Sequence, residues 1–488
     1  MRARSKLALF RADASAAIGS GHVRRCLAVA TALKRDGWTC RFAVGGESLS
    51  VVPELIASDF EVHTLDPASL LDAAALSDSV SEGCELLVVD HYGLDRKYEA
   101  AARRFARNVL AIDDLADRDH DCNVLVDATA GRNAADYASR VPAGASLLLG
   151  SAYAPLRPAF AALRTGHVAH SRSAQRMLVN FGGTDPDDMT GAVLTALSKM
   201  DLPAALQIDV VLGRGACHAA RIARQLAGMA DNFHLHLDVP DMAELLTGAD
   251  LAIGAGGVSA LERCCLGVPS VVVVIADNQR EVATALAEKG AARLACSASD
   301  AARQATVLLE DRTARQAISI AAMALCDGRG AARIALWVDP EEAKKGQVVR
   351  LRPTETSDEA MILAWQTQPE TRRHARIPHV PTVDEHRAWF AAKCADPDCL
   401  FNVVLCDGKP VGTVRLDRHD RAGWEVSIAI DTAHHGIGIG RAALALARRL
   451  VPEAPLLAGI LPGNQASLAL FAKAGYVEDG DWYVSRPH

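Results

Sequence analysis

Short apolar runs alternate with alanine-rich helical stretches over residues 7–275, and that alternation leaves few folds open to this chain. A first series of strand-like runs covers residues 7–10, 40–44, 86–89 and 109–112. A second covers 177–181, 207–212, 232–237, 251–253 and 270–275. Strands separated by helices form parallel sheets, because each crossover lays a helix on the sheet face. The run 271–276 is continuously apolar, as expected of a strand buried on both faces. Between the series, residues 153–172 break into proline, arginine and glycine, which reads as a crossing between two domains. The polar segment 339–347 lacks apolar periodicity and reads as a linker. The three expected domains are therefore 1–160, 161–338 and 347–488.

Composition narrows the function. With 488 residues, 50% of them hydrophobic and 23% charged, the chain can bury several cores. A formal net charge of -7 argues against nucleic acid or an anionic membrane as partner. The 12 cysteines contain no C-x-x-C pair, so neither a zinc site nor a disulfide framework is indicated, and no metal is expected. Free thiols suit a reducing cytoplasm. The basic start Met1-Arg2-Ala3-Arg4-Ser5-Lys6 is followed by only four apolar residues, too few for a leader, and 271–276 is too short to span a bilayer. A soluble cytoplasmic protein is expected, with its oligomeric state open.

Three strand-to-helix turns carry the candidate chemistry of the first 335 residues. After the first strand, Asp13 leads into a loop with Gly19 and Gly21, and then into a helix bearing His22 and Arg25. Glycines let amides approach a ligand, and a helix start offers unpaired N–H groups and positive dipole to a phosphate. In that first turn a neutral, base-competent imidazole is favoured at His22. The second turn is Asn180-Phe181-Gly182-Gly183-Thr184, with Asp187 or Asp188 as caps of the next helix. The third is Gly254-Ala255-Gly256-Gly257-Val258-Ser259, followed by Glu262 in the early turns of a helix, either as a ligand for vicinal hydroxyls or as a solvated carboxylate. Asn278 and Gln279 follow the strand 270–275 at the edge where α/β sheets bind ligands.

These turns, with Val88-Val89-Asp90-His91-Tyr92, Ile112-Asp113-Asp114-Leu115-Ala116-Asp117 and Tyr153-Ala154-Pro155-Leu156-Arg157, occur in an order similar to that of the UDP-sugar hydrolases of pseudaminic acid biosynthesis. The resemblance implies two Rossmann-like halves in a GT-B arrangement, with the nucleotide held mainly by the second. It also implies metal-free, inverting hydrolysis of a UDP-2,4-diacetamido-2,4,6-trideoxy sugar, with His22 as the base for water. Asp13 is then assigned to orienting the site, Arg25 to substrate charge, and Glu262 to the uridine ribose. Gly19, Gly21, Gly182, Gly183, Gly257, Ser259, Asn278 and Gln279 are expected to line the substrate. Tyr92 lines the sugar pocket or is simply buried.

The last 140 residues change character. A strand, Glu425-Val426-Ser427-Ile428-Ala429-Ile430, precedes His434-His435-Gly436-Ile437-Gly438-Ile439-Gly440-Arg441 and a helix. Small residues there let consecutive amides wrap a pyrophosphate. With Asn464-Gln465-Ala466-Ser467 and Leu470-Phe471-Ala472-Lys473-Ala474-Gly475-Tyr476 downstream, this region resembles the GNAT acetyltransferases. The resemblance implies acetyl-CoA as co-substrate, held by His435, Gly436, Ile437, Gly438, Gly440, Arg441 and Asn464. Phe471 stands where many members have a tyrosine that protonates the departing thiolate, so that role falls to water or catalysis is slow. Glu425 is the candidate to deprotonate the amine, unless it is a structural strand carboxylate.

The combined expectation is an α/β chain: a GT-B-like pair of Rossmann-like domains followed by a C-terminal GNAT α/β acetyltransferase domain. It would hydrolyse the UDP-diacetamido sugar and N-acetylate its UDP-4-amino precursor. The alternatives are a GT-B glycosyltransferase using a UDP-sugar and a non-catalytic UDP-sugar-binding module fused to an acetyltransferase of other specificity.

Overall fold

The computed structural model describes residues 6–487 apart from Ala16, Ser81, 165–172, Arg214 and 420–422. The basic start (Met1 to Ser5) and residues 165–172 of the predicted domain crossing lie outside that set. Two compact units divide at Ala331 and Ala332.

The first unit contains two parallel sheets. One comprises β1 (Leu7–Ala12), β2 (Thr39–Gly45), β3 (Glu61–Leu65), β4 (Cys84–Asp90), β5 (Ala106–Ile112), β6 (Val124–Asp127) and β7 (Ser146–Leu149), in the order β3-β2-β1-β4-β5-β6-β7. The other comprises β8 (Arg176–Asn180), β9 (Gln207–Leu212), β10 (Phe233–Leu237), β11 (Leu251–Ala255), β12 (Ser270–Val273) and β13 (Arg293–Ala295), in the order β10-β9-β8-β11-β12-β13. Strand order reverses between β1 and β4, and again between β8 and β11. Helices leave toward opposite faces at such a reversal, so a crevice opens beyond the strand ends. All three predicted turns leave β1, β8 or β11, so both reversals carry glycine. Continuous apolar strands such as β12, with Val271 and Val272 at 0% exposure, are covered on both faces by helices.

The second unit is one sheet of β14 (Glu341–Glu342), β15 (Val348–Pro353), β16 (Cys399–Cys406), β17 (Lys409–His419), β18 (Gly423–Ile430), β19 (Leu456–Ala458), β20 (Val477–Asp479) and β21 (Trp482–Ser485), in the order β14-β15-β16-β17-β18-β19-β21-β20. Its pairs are antiparallel except β18 with β19. That parallel pair is short, joining only Trp424 to Leu456 and Glu425 to Leu457. From Val426 onward β18 therefore presents a free edge toward β19, and the sheet splays there.

The linker reading of 339–347 is corrected. Glu341 and Glu342 pair antiparallel with Val349 and Val348, and Gly346 makes the intervening turn at φ 80°. Ala343 is buried in one core with Leu336, Val349 and Val404. The segment is too short for its period to be visible, and its charges lie on the open side of an edge strand. A fragment beginning at Gln347 should accordingly be less stable than one beginning at Ala332. Losing buried Leu336 alone should cost about 2–5 kcal/mol, and urea midpoints of the two fragments provide the check.

Candidate functional site

The helix Gly21–Arg35 starts at the first reversal, and its opening turn aims His22 and Arg25 at the end of β4. His22 Nδ1 lies 2.6 Å from Asp90 Oδ1. Arg25 donates from Nε and Nη2 to the same carboxylate at 3.0 and 2.8 Å, and from Nη1 to Asp114 at 2.8 Å. Burial pushes the Asp90 carboxyl up, but Arg25 and His22 outweigh it and hold the group below its ordinary value. A carboxylate that accepts Nδ1–H fixes the ring and leaves Nε2 as its basic nitrogen. Among the described residues no protein group bonds Nε2. Tyr92 packs edge-on against the imidazole, with ring centroids 4.5 Å apart.

Tyr92 also ties the two sheets of this unit together. Its hydroxyl donates to Asp114 at 3.2 Å and accepts from Asn278 Nδ2 at 2.9 Å. A continuous relay thus runs Asn278–Tyr92–Asp114–Arg25–Asp90–His22. The glycine loops approach one another nearby: a Cβ placed on Gly21 would lie 3.8 Å from Val258 Cγ2. Gly21 and Val258 begin the helices Gly21–Arg35 and Val258–Cys265, and neither helix has a side-chain N-cap. Two sets of unsatisfied amides therefore face one crevice.

Other groups brace this arrangement. Buried Arg263 donates to Ala255 O at 2.7 Å and Ser270 Oγ at 3.1 Å, with a longer bond to Ser259 at 3.4 Å. Burial lowers its guanidinium to about 10. Gln279 Oε1 accepts from Gly256 N at 3.1 Å, pinning the loop. Glu262 is half-buried and makes no side-chain hydrogen bond among the described residues. Burial raises its carboxyl, while Arg157, Arg24 and Arg263 pull it back. At the β8 turn Gly182 has φ 96°, and open space surrounds both it and Gly183.

Several side chains do something other than expected. Asp188 occupies the N-cap position of the helix Met189–Leu197, as expected, but its side chain bonds no helix amide. The carboxylate of Asp185 does so instead, accepting from Met189 N at 3.0 Å and Thr190 N at 2.9 Å. Asp188 pairs with Arg221. Asp13 is taken by Arg11 (2.6 and 2.7 Å), Gly45 N (2.7 Å) and His91 (3.4 Å), and so clamps β1 to β2. Arg25, assigned to substrate charge, spends its donors on Asp90 and Asp114.

In the second unit a cavity of about 1080 Å³ runs along the free edge of β18. Glu425, Gly436, Gly438, Arg441, Asn464 and Phe471 are among its lining residues. Gly438 precedes the helix Ile439–Leu450 at φ 98°, again without a side-chain cap. Lys344, from the β14 segment, lies under this loop: its backbone N donates to Ile437 O at 2.9 Å and its Nζ to Gly436 O at 3.0 Å. His435 Nε2 lies 2.8 Å from Ile430 O, which anchors the loop to β18. Glu425 is paired with Arg376. Asn464 Oδ1 accepts from Ser467 N at 3.0 Å, capping the helix Gln465–Lys473.

Residues 349–477 match the family described as acetyltransferase (GNAT) domain. The chain also aligns with the crystal structure of MurG from Acinetobacter baumannii at a TM-score of 0.50 and 16% identity, over 69% of this chain and 99% of the other. This chain joins a GT-B-like module to a GNAT acetyltransferase domain. In sequence, the UDP-2,4-diacetamido-2,4,6-trideoxy-beta-L-altropyranose hydrolase of Campylobacter jejuni is a homologue, 25% identical over 284 residues, which are 58% of this chain and 96% of the relative. The spore coat polysaccharide biosynthesis protein SpsG of Bacillus subtilis is 32% identical over 143 residues, 29% of this chain and 42% of that protein.

Within the GT-B-like module, sequence reasoning quoted Asp90 and Asp114 in motifs without giving them roles and gave none to Arg263, although each directly holds a site residue. Within the acetyltransferase domain it missed Lys344 and Arg376. An aspartate ending an apolar strand, as Asp90 ends β4, was the available signal, since strand ends face the crevice. Lys344 gave none, because its segment was read as linker. Among the described residues no group of three or more His, Cys, Asp or Glu side chains is placed to hold a metal ion, and no helix is long and apolar enough to cross a membrane.

Proposed function

We propose that the GT-B-like module hydrolyses a UDP-linked diacetamido-trideoxy sugar to free sugar and UDP. The observation that carries this reading is the buried His22–Asp90 pair at 2.6 Å, set beside two uncapped helix starts. The homologous Campylobacter hydrolase supplies the substrate class. Water attacks the anomeric carbon, the bond from that carbon to the diphosphate oxygen breaks, and UDP departs with the electron pair. His22 Nε2 takes the water proton, while Asp90 holds the ring. Amides at Gly21 and at Gly257–Val258 meet the charge growing on the leaving diphosphate. Arg25 positions Asp90 rather than touching substrate. Phosphorus NMR of the protein mixed with UDP-diacetamido sugars tests this directly: free UDP should appear without any added acceptor. A requirement for an acceptor would point to glycosyl transfer instead.

Glu262 is the proposed partner of the ribose hydroxyls, because its carboxylate is uncommitted beside the Gly257 loop. Glu262→Ala should weaken UDP binding by about 1.5–3 kcal/mol and affect saturated turnover less. Unchanged affinity in calorimetry would make Glu262 an ordinary helix carboxylate.

The GNAT domain is proposed to acetylate the amino group of a UDP-4-amino sugar. Acetyl-CoA supplies the acetyl group as a thioester. The residues present fit its pyrophosphate: Gly436 and Gly438 at positive φ and an uncapped helix start make a cradle of amides. The free edge of β18 offers backbone groups to an extended amide-bearing chain. Glu425 removes the ammonium proton of the acceptor, directly or through one water. Phe471, buried against Tyr476 with ring centroids 4.9 Å apart, has no proton to give. Release of free thiol from acetyl-CoA with the UDP-4-amino sugar as acceptor is the test.

A further inference from the structure

The acceptor side of the acetyltransferase cavity is cationic beyond what its own acids neutralise. Arg372 donates from Nη1 to the carbonyls of Ile377 and His379 at 3.3 and 3.2 Å, and its Nε is buried without a partner. Among the described residues it makes no ion pair, and burial pushes its guanidinium below the ordinary value. Of the other carboxylates lining the cavity, Glu370 is exposed to solvent, and Asp417 and Glu385 are committed elsewhere. Asp417 is held by Arg415 and Lys393, both at 2.7 Å, and Glu385 accepts from Thr382 N at 2.8 Å. Among the described residues Arg376 is the ion-pair partner of Glu425; its side chain is 56% exposed and lies 6.0 Å over the Trp482 ring, so an exposed pair of this kind opens at little cost.

That pairing conflicts with the proposed role of Glu425. The guanidinium occupies the carboxylate oxygen that the acceptor's ammonium would have to reach, so the pair must open before the amine can approach. A phosphate competes well for arginine, because the guanidinium fork matches its oxygens with two parallel hydrogen bonds. We propose that the acetyl acceptor carries a phosphate or diphosphate ester, which draws Arg376 off Glu425, seats between Arg376 and Arg372, and thereby frees the base only when the correct acceptor is present. The inference rests on Glu425 as the amine's base and adds a specificity device to it.

The full chain tests this with two acceptors, the UDP-linked 4-amino sugar and the methyl glycoside of the same amino sugar, with thiol release as readout. For wild type the phosphate-bearing acceptor should be strongly preferred in kcat/KM. In Arg376→Gln, KM for the UDP-linked acceptor should rise about 10- to 100-fold, the loss of one charge-assisted contact. Its kcat on the methyl glycoside should exceed that of wild type, because the base no longer waits for an anion. Arg376→Lys should recover part of the preference, and Arg372→Gln should raise KM for the UDP-linked acceptor only. Loss of both activities in Glu425→Gln upholds the base assignment independently. Equal use of the two acceptors by wild type, or an equal fall on both in Arg376→Gln with Glu425→Gln inactive, overturns the inference and leaves that assignment standing. An active Glu425→Gln, or no transfer to either acceptor by wild type, overturns both.

Discussion

Replacing His22 with asparagine should lower UDP release by about 100- to 10,000-fold, the usual contribution of a positioned general base. UDP affinity should change little, because the nucleotide is assigned to backbone amides and to Glu262 rather than to the His22 side chain. Asparagine can still donate to Asp90, so the fold around β4 should persist and the thermal midpoint should stay near that of wild type. Asp90→Asn should lower turnover too, since the amide no longer draws the proton to Nδ1, but by less than loss of the imidazole. It should also cost stability, because Arg25 would face only Asp114. Near-normal hydrolysis in the asparagine variant would falsify the role of His22.

Gly438→Val should abolish acetyl-CoA binding. Its φ of 98° is one that valine rarely adopts, and a Cβ there would lie 3.0 Å from Lys344 Cγ and 3.2 Å from Lys344 N. The clash is partly with backbone of the β14 segment, which is tied to Ile437 by a hydrogen bond and cannot simply move aside. The loop would have to rearrange, losing the amides that face the pyrophosphate. Calorimetry with acetyl-CoA on the full chain provides the measurement, and UDP binding in the same variant should be intact. Normal acetyl-CoA affinity would remove the loop from the binding site.

In the GT-B-like module β1, β2, β4, β5, β8–β12 and the glycine turns were legible because both signals are local, whereas the short or half-polar β3, β6, β7 and β13 did not stand out. A run such as residues 207–212 is long and apolar enough to declare itself, and Gly19 or Gly438 marks a turn by its own chemistry. What escaped depended on partners distant in sequence. Asp90 acquires its role from His22 and Arg25, 68 and 65 residues away. Asp188 holds the N-cap position, but the capping carboxylate is that of Asp185, because the loop turns through positive φ at 185 and 188. Assigning Asp13 to orienting the site and Arg25 to substrate charge could not reveal that Arg11, Asp90 and Asp114 would consume their hydrogen bonds. The β14 strand was invisible for a different reason: two paired residues are too few to display any period.

Asp185 gives the crevice of the GT-B-like module a polarity. Of the helices beginning at the β8 and β11 turns, the first already has a carboxylate seated on its amides, whereas the second leaves them bare. One end therefore repels a dianion, and the other attracts it. Under the proposed function, a ligand with one charged and one neutral end is favoured with its charge toward Gly257 and its uncharged part toward Gly182 and Gly183. Lying the other way round would set phosphate against carboxylate at one end and leave amides without an anion at the other. A single buried aspartate thus makes the two glycine turns electrostatically unlike.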